Sequence, residues 1–173
     1  MLAREDGRLL LISKYALDGG CFDPDYIHIY WINSDLRIWL NGDFLNEAFS
    51  GEEQALIPAV TVTADENPRY NRAYVGEDAS DQVFLLSAVE AQAYFNTDKD
   101  RVCIPTPYAA TRGIRLSSSY SVDGQSTCWW WTRTATHDLV ATVNTGGGLN
   151  LYGEAHTQTS GAIRPSIWLE VEP

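Results

Sequence analysis

The residues best equipped for chemistry are Cys21, Cys103 and Cys128, the three histidines, and the carboxylates Asp23, Asp25, Asp98 and Asp100. Three widely spaced cysteines make neither a disulfide framework nor a metal knuckle. They read as three reduced, mostly buried thiols, or as one bridge and one free thiol. His28, His137 and His156 show no zinc spacing, and a single histidine is ordinarily just surface or core. The four aspartates fall in expected loops without EF-hand spacing, so they read as solvated loop residues. Gly146-Gly147-Gly148 lacks the lysine and the helix that a phosphate site needs, and no nucleophile elbow or dinucleotide fingerprint occurs. The expectation is a non-enzyme with no catalytic residue, no cofactor and no metal.

Two arginines and a tryptophan run matter more. Arg133 and Arg164 each bring five donors, enough to fasten an anion or several carbonyls. The anchor for loops is the weightier reading, the anion site the lighter. Trp129, Trp130 and Trp131 alternate across an expected strand and cannot all face one way. At least one belongs to the core, and Trp130 is the candidate ligand platform.

The 173 residues are 45% hydrophobic and 12% aromatic, with six Trp and nine Tyr. That composition is globular and fits one domain over 1–173, whole or cut from a longer protein. A net charge of -11 without a basic cluster argues against nucleic acid and anionic membranes as partners. No apolar run approaches the roughly 18 residues of a spanning helix. The start, Met1-Leu2-Ala3-Arg4-Glu5-Asp6, lacks the apolar core of a secretory signal. Localisation is not readable; cell-surface or virion display would follow if the chain is part of a larger receptor.

The elements that must position these residues read as follows. Arg8 to Ser13 is a strand, Gly19-Gly20 a break, and Tyr26 to Ile32 extended. Leu36, Trp39, Leu40, Phe44, Leu45 and Phe49 fall on one face of a helix capped by Asn33 or Ser34. Gly42 weakens that helix by about 1 kcal/mol relative to Ala. Ser50 to Glu53 and Ser87 to Glu90 are capping boxes that open further helices, the second running through about Phe95. Val60–Thr63 and Val83–Leu86 are strands, and residues 64 to 80 a loop. Tyr108 to Thr111 adds a helical turn, and residues 117 to 127 read as a Ser/Gly-rich loop. Cys128–Arg133, Leu139–Asn144 and Leu149–Tyr152 are strands, the last two joined by a hairpin turn at Gly146-Gly148. Residues 163 to 171 alternate as one strand with Ile163, Pro165, Ile167, Leu169 and Val171 inward. Helices first and hairpins last give an α+β class with a small twisted antiparallel sheet. Leu36, Trp39, Leu40, Phe44, Phe84, Leu85, Trp168 and Leu169 are the expected core.

Five ordered blocks carry a family resemblance. They are Leu10–Leu17, Leu36–Phe49, Phe84–Phe95, Trp130–Arg133 and Gly161–Leu169. Together they resemble a bacterial and phage domain family of unknown function that looks like a branch of the C-type lectin-like fold. That branch is similar to the variable proteins of diversity-generating retroelements and, more distantly, to formylglycine-generating enzymes. The resemblance implies two main helices, a small antiparallel sheet and long loops. The family usually carries a strand ahead of the first block, where only Leu2 to Gly7 remain here. The calcium-lectin tripeptides Glu-Pro-Asn, Gln-Pro-Asp and Trp-Asn-Asp are absent. Cys103 and Cys128, the nearest candidates for a reactive pair, sit in no motif of the formylglycine-generating kind.

In the variable proteins, a mutagenic reverse transcriptase rewrites codons between a Trp/Arg block and a Gly-x-x-Arg block, and the new side chains form the binding face. The matching interval is 134–160. It offers Thr134, Thr136, His137, Asp138, Thr142, Asn144, Thr145, Asn150, Tyr152, His156, Thr157 and Thr159, an adaptable vocabulary of the kind paratopes use. Glu154 and Gln158 fit less well, because adenine-directed changes to an Asn codon do not reach them. The expectation is a receptor-type domain for a protein or glycan. The alternative is a non-variable structural or interaction domain of a multidomain protein, with an enzyme a distant third. Exchange of Thr136, His137, Asn144, Tyr152 and His156 is expected to leave folding nearly intact, with Tyr152 the main anchor.

Overall fold

The computed structural model of the chain describes residues 1–25, 30–70, 75–136 and 138–171. It opens with a hairpin. β1 (Ala3–Glu5) and β2 (Arg8–Ile12) pair antiparallel around Asp6-Gly7, both at positive φ. The strand expected ahead of the first block is therefore present, three residues long. β3 (Asp18–Gly19) follows at the expected break. Trp31–Asn33 forms a 3-10 turn rather than the end of an extended run, and Tyr26 to Ile29, with His28, lie outside the described residues.

The long helix is built in three parts. α1 (Asp35–Trp39) is capped by Ser34, whose oxygen accepts the Arg37 N–H. A π turn over Leu40–Phe44 follows, and α2 (Leu45–Ala48) completes the helix. Gly42, the weak helix former, lies inside the π turn. Next to it, Asn41 gives its amide to the Val83 carbonyl at 2.8 Å and accepts the Gln82 and Val83 N–H groups. The widened turn splits the expected apolar face. Leu36, Leu40 and Leu45 are buried. Trp39, Phe44 and Phe49 are only half-buried and form a second stripe of rings, with centroids 5.2 and 6.4 Å apart. α3 (Gly51–Gln54) begins at the Ser50–Glu53 capping box, which is fully formed.

β4 (Val60–Val62) pairs with β5 (Ala79–Asp81), a short strand inside the expected 64–80 loop. β6 (Val83–Phe84) then leads to α4 (Ala88–Tyr94), opened by the complete Ser87–Glu90 capping box. α5 (Asp98–Arg101) and α6 (Pro107–Thr111) are short. β7 (Leu116–Val122) and β8 (Gln125–Cys128) form a hairpin where the sequence reads as loop. Its Asp123-Gly124 turn, with both residues at positive φ, is the strongest short hairpin signal. The serine-rich strand around it has no apolar alternation to reveal it.

β9 (Trp130–Ala135), β10 (Leu139–Val143) and β11 (Leu149–Ala155) continue as antiparallel neighbours. The expected last strand is two. β12 (Ala162–Ile163) and β13 (Ser166–Glu170) part at Arg164-Pro165 and enter different sheets. One sheet has the order β1-β2-β13-β6, and the other β11-β10-β9-β12-β3. Both are antiparallel except where β12 runs parallel to β9. Ile167, Trp168 and Leu169 are half-buried rather than divided cleanly into inner and outer residues. Phe84 and Leu85 are core, as expected.

β9 explains the tryptophan run. Both of its faces are covered, so Trp129, Trp130 and Trp131 are all buried. Trp129 and Trp131 meet edge-on at 4.8 Å on one side, and the Trp131 N–H donates to the Gly20 carbonyl at 2.9 Å. Trp130 faces the other way, under Arg164. The fold is mixed α+β, with few helices and several small sheets. No described helix is long and apolar enough to cross a membrane.

Candidate binding face

The two arginines are anchors. Arg133 is buried and gives its guanidinium to the Leu85 carbonyl at 2.8 Å, the Thr63 carbonyl at 3.1 Å, Asp65 at 3.3 Å and both Glu90 oxygens. It thereby ties β9 to the start of α4 and to the segment just after β4. Arg164 donates to the Ser13 carbonyl at 2.9 Å and the Arg101 carbonyl at 3.1 Å, and lies over the Trp130 and Phe95 rings. Both guanidinium groups are buried and turned onto internal partners, the arrangement of a structural anchor.

The interval 134–160 divides sharply. Trp130, just before it, is 0% exposed and donates its indole N–H to the Arg101 carbonyl at 3.0 Å. It is no ligand platform. Thr134, Thr136, Thr142 and His156 are buried too. Thr134 accepts the Ala88 N–H at 2.8 Å, in the first turn of α4. Thr136 closes the turn to Leu139 through both its hydroxyl and its backbone. The His156 ring contacts the Asp23 carbonyl at 3.1 Å, while its own carbonyl accepts from Phe22 and Asp23. The expected tolerance of Thr136 and His156 to exchange is therefore corrected. A small polar residue looks the same in sequence whether its hydroxyl meets water or completes an internal hydrogen bond. His137 lies outside the described residues.

What remains outward is Asp138, Asn144, Tyr152 and Thr159, with Thr145, Asn150 and Thr157 half-buried. Asn144 is spent on its own turn, accepting the Gly146 and Gly148 N–H groups at 2.9 and 3.1 Å. Asn150 brackets Gly153, donating to its carbonyl and accepting its N–H, both at 3.3 Å. Asp138 stands at one end of the β10–β11 hairpin, beside the Leu139–Ala155 pair. Asn144 and Thr145 stand at the other end, beyond the Val143–Leu149 pair. Tyr152 lies between them on the edge strand β11, 58% exposed.

Sequence reasoning did not find the partner of Tyr152. The Arg69 guanidinium lies 3.6 Å from the centroid of its ring. Arg69 is placed by buried Asn67, which reaches the Ala135 and Leu151 carbonyls and accepts the Arg69 N–H at 3.0 Å. Asn67-Pro68 signals a turn, but nothing in the sequence says which strand that turn is fastened to. The face is a surface rather than a cleft. A cavity of about 380 Å³ bordered by Gly20, Cys21, Asp35, Trp39 and Tyr108 takes nothing from the interval. Among the described residues, no three His, Cys, Asp or Glu side chains converge as a metal set.

Burial separates the cysteines. Cys103 and Cys128 are buried, Cys21 is half-buried, and all three are thiols. The hydrogen bond between them holds Cys103 below the ordinary thiol value, with help from the Arg164 charge, while the same contact and burial push Cys128 up.

No curated protein and no solved structure matches this chain. A family model does, over residues 6–171, and the chain belongs to that family, the domain of unknown function DUF6273.

Proposed function

We propose that this chain is a receptor-type binding domain of the C-type lectin-like kind, and that it reads a protein or glycan with the outward side of β11 and the loop that carries Arg69. The observation that carries this reading is the Tyr152–Arg69 pair. An aromatic ring 58% exposed, with a guanidinium 3.6 Å from its centroid, is a pre-organised contact surface. Tyr and Arg are the residue types that dominate binding energy at interfaces, and a ring held by its neighbour loses little entropy on binding. Two principal helices, small antiparallel sheets and long connections support the lectin-like reading. Exposed Asp138 and Thr159 and half-buried Thr157 add adaptable polar side chains from the same interval.

The test is a screen of the folded chain against surface proteins and a glycan array, repeated with Tyr152→Ala and Arg69→Ala. Both variants are expected to melt like the parent and to lose at least tenfold in affinity, about 1.4 kcal/mol or more. A ligand indifferent to both substitutions would place the face elsewhere.

A second reading has its own observation. Thr134, Thr136, Thr142 and His156 are buried, so free exchange there would disturb the core. That favours an interaction surface of fixed sequence over one rewritten along the whole interval. Sequencing the locus across a population separates the two. A variable face shows changes concentrated at Asp138, Tyr152, Thr157 and Thr159 and none at the buried four.

A further inference from the structure

The two buried cysteines meet where the candidate face is braced. Cys103 and Cys128 are antiparallel bridge partners, 1% and 0% exposed. The Cys128 N–H donates to the Cys103 carbonyl at 2.8 Å, and the Cys128 sulfur lies 3.6 Å from the same oxygen. Facing residues of an antiparallel pair hold their Cα atoms about 4.5–5.5 Å apart. A disulfide spans about 4.4–6.8 Å between Cα atoms, a range that includes this separation.

The neighbours of this pair hold the 144–148 turn from both sides. Arg101, two residues before Cys103, is buried and donates to the Gly147 carbonyl at 2.8 Å. A Cβ on Gly147 would stand 1.7 Å from the Asp98 carbonyl oxygen, so α5 packs directly on the turn. Thr127, next to Cys128, donates its hydroxyl to the Thr145 carbonyl at 2.8 Å. The Arg101 carbonyl is itself fixed by the Trp130 indole and by Arg164. The two segments that meet at the cysteines are thus the two that support the tip of the β10–β11 hairpin.

We propose that Cys103 and Cys128 are a reversible redox pair whose cross-strand disulfide locks the 144–148 turn at the end of the binding face. The significance of the turn rests on the function proposed above; the bond itself does not. The oxidant is a low-molecular-weight disulfide such as glutathione disulfide. The Cys103 thiolate attacks one of its sulfurs, giving a mixed disulfide and releasing one glutathione thiolate. Cys128 then gives up its proton, and its sulfur displaces the second glutathione. Two protein thiols are oxidised, one small disulfide is reduced, and two glutathione thiols leave. Cys21 has no cysteine facing it among the described residues and stays a thiol.

The experiment refolds the full chain from denaturant in mixtures of glutathione and glutathione disulfide, so that exchange occurs before burial can protect the thiols. Samples are then alkylated, weighed intact and digested with trypsin. The oxidising mixture is expected to leave one alkylated cysteine, Cys21, and a peptide pair joining 102–112 to 116–133. Amide exchange at Gly146–Gly148 is expected to slow about tenfold relative to the reduced chain. Cys103→Ala and Cys128→Ala each remove the joined pair and the slowing. The comparison of oxidised with reduced parent stands alone if either variant misfolds. Three alkylated cysteines in the oxidised native chain, a pair containing Cys21, or stable glutathione adducts overturn the proposal. A bond that forms but leaves Gly146–Gly148 exchange unchanged overturns the locking. None of these readouts needs a ligand, so a failed ligand screen and a failed cross-link are told apart.

Discussion

At the scale of single residues, one guanidinium organises more of the site than any exposed side chain does. Arg133 has 2% of its side chain exposed and joins Glu90, Asp65 and two carbonyls. Removing one partner from a buried charged network leaves the others unpaired, which costs about 3–5 kcal/mol. Arg133→Met is expected to lose that much in a urea titration, while Arg112→Met, whose pair with Asp18 is half open to water, loses about 0–1 kcal/mol. Equal losses would remove Arg133 from its place as anchor. Asp81 behaves differently. Burial raises its carboxyl above the ordinary aspartate value, against the Trp31 N–H and Arg37, which pull it down. The folded chain then holds a proton that the unfolded chain releases. Stability from this group is therefore full below the ordinary aspartate value and is lost as pH rises from there through the folded midpoint. An Asp81 carboxyl resonance titrating below about 3.9 would contradict this. Residue types made the anchoring role of Arg133 and Arg164 legible in advance. They did not distinguish Thr134 and Thr136, which are internal, from Thr159, which is outward, because that difference lies in neighbours brought from distant sequence.

At the scale of elements, local signals read true wherever the hydrogen bond they depend on is local. The capping boxes at Ser50 and Ser87 close over three residues, and both are formed. The Gly146-Gly148 hairpin is closed by Asn144 within the same turn. Periodicity misled where a long-range contact changed the period. Asn41 reaches across to Val83, the helix widens to a π turn, and the rings at 39, 44 and 49 fall on a face of their own. Pro165 cut one expected strand into two for the same kind of reason: β12 and β13 answer to different sheets. The buried line of the helix is then Leu36, Leu40 and Leu45, with Leu40 at 0% exposure in the π turn. Leu40→Ala is expected to cost about 2–5 kcal/mol. Trp39, half-buried on the other stripe, should cost less than its size suggests when replaced by Leu. Denaturant midpoints for the two variants check the order, and the reverse order would mean that the aromatic stripe, not the leucine line, holds the helix to the core.

At the scale of the whole molecule, the first and last strands share one sheet, and their places in it are unequal. β13 pairs with β2 on one side and β6 on the other, with five residue pairs to β2 and two to β6. Among the described residues, β1 is an edge strand paired with β2 alone. Both β2 and β6 continue into segments that carry the site: Ser13, just past β2, receives Arg164, and Leu85-Leu86, just past β6, receive the Arg133 side chain and backbone. Removing β13 would open two strand ladders at once and expose Leu10 and Phe84, which are 1% and 2% exposed in the folded chain. Removing β1 opens one ladder of three pairs, at an edge already facing solvent. The prediction is an asymmetry. A chain lacking residues 1–6 should keep a cooperative melt and dispersed amide resonances, with a lowered midpoint. A chain lacking residues 166–173 should lose both, together with the protection of amides in β9 and β10, because the arginine anchors on either side of the β9 sheet take their geometry from the strands that β13 holds together. The contrary result, an intact β9–β10–β11 sheet after loss of β13, would show two independently folding halves and would free the binding face from the terminal sheet altogether.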